Sequence, residues 1–210
     1  MKRGIVYFVG LNLIAFAVVF NIRLNFGVAA FSSSMYATSE IFGISLGTAS
    51  IIFYLLFIVI QCVLSRKISL MYILEIPLSF AFGWLTDLYD FILPEIPFVF
   101  PVRLVLFCLS MCVTSMGVFL CVRSNLVLTP TDGIVKTISE VFGLPFSACK
   151  NGFDITMVLL TVILCAVNHT QFYGIGIGTV LSAVCLGRII RIYEKKIPLS
   201  FPPLSWQKSK

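Results

Sequence analysis

Charge is what this chain has least of. Asp, Glu, Lys and Arg make up 11% of its 210 residues, against 59% hydrophobic residues. A soluble domain of this length needs roughly twice that charge to cover its surface. Histidine is nearly absent, with His169 alone, which leaves little for acid–base or metal chemistry. There is no Ser-His-Asp arrangement, His-Glu-x-x-His pair, phosphate loop or Cys-x-x-Cys motif. The seven cysteines lie in or at the ends of apolar runs, at spacings that fit neither a disulfide framework nor a zinc site. Cys108 and Cys112 share a helix face, but a buried cysteine ordinarily serves as a small apolar residue. The chain is therefore read as a non-enzyme with no metal and no cofactor. The net charge of +6 forms no stripe for nucleic acid, because the basic residues sit at the ends of apolar runs. That is where membrane topology places them.

Long apolar runs are abundant. Mean hydropathy is +1.05, and the alternating strands of a transmembrane barrel are missing. Six runs reach the roughly 20 residues that cross a bilayer core, at about 4–22, 44–64, 69–93, 102–122, 146–167 and 172–192. Met1-Lys2-Arg3 opens the first run without a small-residue cleavage site after it, so this run is read as an uncleaved span. The expected fold is an all-α membrane protein of six transmembrane helices. With the N-terminus in the cytoplasm, only Arg23 and Arg103 of the fifteen Lys and Arg fall near the outer face. Both termini are then cytoplasmic, and 198–210 forms a solvated tail.

Two inserts, 23–43 and 123–145, are too short and polar to be spans, and they repeat one another. At a shift of 100 residues, Arg23 falls on Arg123, Asn25 on Asn125, Ser39-Glu40 on Ser139-Glu140, and Phe42-Gly43 on Phe142-Gly143. The third spans correspond at a shift of 104, with Gly83 on Gly187, Tyr89 on Tyr193 and Asp90 on Glu194. Each half, 1–100 and 101–197, thus holds three crossings and one insert. Three is odd, so the halves run through the membrane in opposite senses, as an inverted-topology repeat.

Thr129-Pro130-Thr131-Asp132-Gly133, the run Thr137-Ile138-Ser139-Glu140-Val141-Phe142-Gly143 and the later Gly174-Ile175-Gly176-Ile177-Gly178 together resemble the YczE/YyaS/YitT-like group of small bacterial membrane proteins. The first half adds Asn25-Phe26-Gly27 and Phe42-Gly43-Ile44-Ser45-Leu46-Gly47. The resemblance implies a bacterial plasma membrane and an architecture, not a reaction. It departs in the first insert, where Ala29-Ala30-Phe31-Ser32 stands in place of a Gly-Pro-Trp-Asp pattern.

The second insert reads as a short helix, opened by Pro130 and Thr131, capped by Thr131 or Asp132, and closed by Gly143. The first follows the same plan, from Ser32-Ser33-Ser34 to Gly43. Each helix is half a membrane long. It is either re-entrant, with its start aimed at a central site, or laid flat at the interface. Ionisable groups inside spans are costly and so are candidates for function. Asp154 lies two turns into the fifth span with Lys150 four residues before it, and Glu75 precedes Pro77 in the third, within reach of Arg123 or Lys136. The alternative for both is a purely structural ion pair, and for Arg23 and Arg123 it is snorkelling to headgroups. The residues point to a small transporter or permease-like protein. Ser32, Ser33, Ser34, Thr131 and Asp132 would frame the substrate, and Glu40, Glu140, Lys150, Asp154 and Glu75 would couple or gate. Arg23, Asn25, Arg123 and Asn125 mark the repeat. The partners are the lipid bilayer, an unidentified small molecule or ion, and a second copy or another membrane protein; Gly174-x-Gly176-x-Gly178 suits helix packing within the chain or between chains. The other readings are a non-transporting regulator or scaffold, and a substrate-binding subunit of a larger transporter.

Overall fold

A computed structural model describes residues 2–94 and 99–197; the tail expected at 198–210 lies outside them. Among the described residues there are eight helices and no strand. They are α1 (Lys2–Leu24), α2 (Ala30–Phe42), α3 (Leu46–Ser65), α4 (Leu70–Ile92), α5 (Phe100–Arg123), α6 (Pro130–Phe142), α7 (Phe146–Val167) and α8 (Ile177–Lys196). Four of them, α1, α3, α5 and α7, are long and apolar enough to cross a membrane by length and composition. α4 and α8 have 23 and 20 residues and hold Glu75, Asp87 and Asp90 in one and Arg188, Arg191, Glu194, Lys195 and Lys196 in the other.

The order long, short, long, long occurs twice, and local details repeat with it. α2 and α6 each end at a left-handed glycine, Gly43 at φ 62° and Gly143 at φ 64°. Ser39 and Ser139 each donate 2.7 Å across that turn, to the Ile44 and Leu144 carbonyls. Asn25 and Asn125 both take a left-handed conformation, φ 48° and 49°, which asparagine tolerates better than most side chains. The repeated Asn is thus a turn residue. At the end of the first long helix, Arg23 pairs with Asp90 at 2.9 Å. At the end of its counterpart, Arg123 pairs with Glu194 at 3.4 Å.

α1 and α5 form the central seam. Cys121 Sγ meets the Tyr7 carbonyl at 3.7 Å, and Ser110 Oγ meets the Ala17 carbonyl at 3.5 Å. One number rises as the other falls, so the two helices are antiparallel, and the Arg23 and Arg123 pairs mark opposite ends of the molecule. The seam is tight because a Cβ on Gly10 would lie 2.8 Å from the Gly117 carbonyl, and one on Gly117 2.8 Å from the Gly10 carbonyl. The short helices then cross over, α2 packing on α7 and α6 on α3.

One boundary differs from the sequence reading. The sixth run was expected from residue 172, but α8 starts at Ile177. Gly174, at φ 71°, and Gly176 instead belong to a loop that hydrogen-bonds the linker after α1 (Val28 N–H to the Gly174 carbonyl, Gly178 N–H to the Phe26 carbonyl, both 2.9 Å). These glycines serve a backbone-to-backbone contact within the chain.

The ends of the molecule are not alike. α3 and α4 pack along one another, whereas among the described residues α7 and α8 barely touch. At the start of α3, the Asp87 carboxylate accepts from Gly47 N–H at 2.6 Å and from Ser45 Oγ at 2.8 Å, while Ser45 accepts from Thr48 N–H at 3.1 Å. An anion at the positive end of a helix is favourable. Counted through the repeat, Asp87 falls on Arg191 and Ser45 on Pro145, and α7 has no side-chain cap.

A larger side chain in the central seam must push the halves apart. Gly10→Val and Gly117→Val are each expected to lower stability by roughly 1–3 kcal/mol, measured as thermal unfolding of the detergent-solubilised protein.

Candidate functional site

The parting of α7 and α8 leaves a cavity of about 740 Å³ that reaches the Arg123 end of the molecule. Its inner wall is the start of α6 and the first two turns of α7. Thr129, the residue before α6, and Pro130 at its first position set the helix start; the expected caps, Thr131 and Asp132, lie inside the first turn. Thr129 Oγ1 donates 3.1 Å to Asp132 Oδ2 and lies 3.1 Å from Thr131 Oγ1. The other Asp132 oxygen faces Lys150 Nζ at 3.4 Å, and Asp154 Oδ1 faces the same Nζ at 3.6 Å. Lys150 and Asp154 are one helical turn apart, so their approach follows from the spacing. All three side chains are largely buried, at 18%, 27% and 17% exposure for Asp132, Lys150 and Asp154. Nζ also lies over the rings of Phe31 and Phe153, at 5.4 and 5.5 Å. Tyr54 completes this wall, and the facing wall is α8 with Ala183, Gly187, Arg188 and Arg191.

Behind the wall, Glu75 is buried at 2% exposure. It was expected near Arg123 or Lys136, but its partner is Gln61, whose Nε2 donates 2.9 Å to Oε2. Arg123 is held by Glu194 and Lys136 by Glu140 at 3.9 Å. Thr137 Oγ1 donates 3.4 Å to Gln61 Oε1 and lies 3.2 Å from the Tyr72 hydroxyl. The start of α6 rests on this network through Gly133, where a Cβ would fall 2.6 Å from Glu75 Oε1.

The other expected site residues are placed elsewhere. Ser32, Ser33 and Ser34 are buried in packing, with Ser32 bonded to the Ala29 carbonyl, Ser33 2.9 Å from Thr161 Oγ1 and Ser34 donating to Met157 Sδ at 3.4 Å. Glu40 and Glu140 are exposed in the last turns of α2 and α6 and do not line the cavity. Counted through the repeat, Asp132, Lys150 and Asp154 replace Ser32, Ser50 and Tyr54, so the charged cluster belongs to one half alone. Sequence reasoning missed Phe153, Tyr54 and Gln61. Gln61, a lone amide in an apolar run, was the available signal.

A match to the family of unknown function DUF6198 covers residues 1–195. The chain belongs to this family. It is also 26% identical over 193 residues to the uncharacterized membrane protein YczE of Bacillus subtilis (strain 168), covering 90% of this chain and 84% of that protein. No solved structure matches it. DUF6198 thus joins the YczE-like resemblance read from the motifs, and the chain is a membrane protein of that kind.

Gln61→Leu strands the buried Glu75 carboxyl and is expected to cost roughly 1–3 kcal/mol, while Gln61→Leu combined with Glu75→Leu recovers part of the loss because both partners become apolar. Thermal unfolding of the two variants in detergent checks this.

Proposed function

We propose that this DUF6198 protein is a small transporter of the bacterial plasma membrane, built as two inverted three-span repeats with re-entrant α2 and α6. In this reading α4 and α8 are the third and sixth spans, both termini are cytoplasmic, and the substrate site is the wall formed by Asp132, Lys150 and Asp154. The observation that carries it is the difference between the two ends of the molecule. Antiparallel α1 and α5 relate the halves, yet α3 meets α4 where α7 leaves α8 and opens the cavity. Two related half-structures in different conformations are what alternating access requires, because exchanging the conformations moves the opening to the other face. The positive-inside rule puts the open end, with Arg188 and Arg191, toward the cytoplasm.

The start of each short helix supports the same reading. Irregular backbone at depth is tolerated where protein or a cavity satisfies it, and the linker before α6 runs along the cavity through Asn125, Leu126 and Thr129. In the first half the equivalent linker is covered by the loop at Gly174.

Positions 79 and 183 are equivalent through the repeat: Ser79 is fully buried and Ala183 lines the cavity. In a cysteine-free background, Ala183→Cys is expected to react with a membrane-impermeant maleimide from the cytoplasmic side only. Ser79→Cys is expected to stay unreactive until Asp87→Arg removes the carboxylate from α3, and then to react from outside. Labelling of Ala183→Cys from outside, or a Ser79→Cys that stays closed in Asp87→Arg, contradicts alternating access.

A further inference from the structure

We infer that the cavity takes a molecule whose charged end is an ammonium group, held between Asp132 and Asp154 where the Lys150 ammonium now sits. The inference rests on the cavity being the substrate site. Its first support is a charge imbalance on the inner wall. Two carboxylates face a single ammonium, and among the described residues Asp154 Oδ1 is out of water and accepts no hydrogen bond. The remaining charges do not correct this. Lys136 is paired with Glu140 and Glu194 with Arg123, while Arg188 and Arg191 are exposed on the opposite wall. Positive-inside anchoring accounts for those arginines without a ligand; no such rule accounts for a surplus carboxylate facing a cavity in a membrane protein.

The second support is that Lys150 is held loosely. Its contacts of 3.4 and 3.6 Å exceed the roughly 2.7–2.9 Å of a charge-assisted hydrogen bond. A lysine on a flexible four-carbon stem can swing aside when a ligand ammonium takes over its partners. The aromatic surroundings are the third support. Phe31 and Phe153 present their rings to Nζ at 5.4 and 5.5 Å, the arrangement that recognises organic ammonium ions. Finally, a cavity of about 740 Å³ is the size of an organic-ligand site and far larger than a bare ion needs. Ile14, Val118, Leu126 and Phe146 supply apolar surface for the body of the ligand. Lys150 is then a tethered competitor, which fills the cation site when the cavity is empty and swings toward the mouth when a ligand ammonium replaces it.

Four probes sharing one phenyl ring test the charge requirement on the full chain in nanodiscs, by calorimetric titration: 2-phenylethylamine, neutral 2-phenylethanol, zwitterionic phenylalanine and anionic phenylacetate. The amine is expected to bind at least roughly tenfold more tightly than the alcohol or the acid. Equal or better binding of phenylalanine assigns an amino-acid-like ligand rather than a simple amine, within the same ammonium chemistry. Asp154→Asn is expected to weaken amine binding by roughly tenfold or more, and Lys150→Met to strengthen it by a similar factor. Phe31→Leu, which alters no charge, is expected to weaken the amine and not the alcohol. Phenylacetate binding as well as the amine, indifference to Asp154→Asn, or no binding of any probe by folded protein overturns the inference. Binding is read without a gradient. A protein that binds the amine but does not carry it therefore contradicts transport alone, and one that carries a neutral or anionic solute contradicts the ligand class alone.

Discussion

A carboxylate set against the free N–H groups of a helix start holds one end of this molecule together. Asp87 takes hydrogen bonds from Gly47 N–H and Ser45 Oγ and so ties α4 to the beginning of α3. The pair α7 and α8 has Arg191 at the position that corresponds to Asp87 and Pro145 at the position of the capping serine. There the helices part and the cavity opens. Much else depends on this difference. It sets Asp132, Lys150 and Asp154 in the cavity wall, whereas Ser32 and Ser50 are buried in packing.

The same asymmetry explains why the polar residues divide so unevenly. In the closed half the small hydroxyls of Ser32, Ser33 and Ser34 are satisfied by carbonyls, Thr161 and Met157, and α2 packs as an ordinary buried helix. In the open half the equivalent face carries charge, which a membrane protein can hold only where partners or water reach it. Gly133 lets that charged turn rest directly on the Gln61–Glu75 pair, so the cavity wall is backed by a second polar layer rather than by lipid.

The two short helices and their glycine ends were legible in the sequence, because Arg23, Asn25, Ser39 and Gly43 recur at a constant shift and each has a local role. The Lys150–Asp154 contact was legible for the same reason, being one turn of helix. What depended on contacts between distant elements was not. Glu75 has Gln61 as its partner because α3 and α4 pack, which no local pattern records. The serines of α2 read as site residues, whereas Ser32 and Ser33 bond carbonyls one turn back, as serine can in a buried helix, and Ser34 donates to Met157 Sδ. The late start of α8 follows from a tertiary contact of Gly174 with the linker after α1. That contact overrides the apolar pattern running from Phe172.

In the proposed transport cycle the two helix pairs exchange conformations and do not move together. Pulsed electron–electron spin distance measurements on full-length protein in nanodiscs test it most directly, with one label pair bridging the start of α3 and the end of α4 and a second pair bridging α7 and α8. The account predicts a short α3–α4 distance with a long α7–α8 distance in the native protein. It predicts the reverse when Asp87→Arg is combined with Arg191→Asp. Two gaps that lengthen together, or distances that ignore the exchange of these two residues, would contradict it.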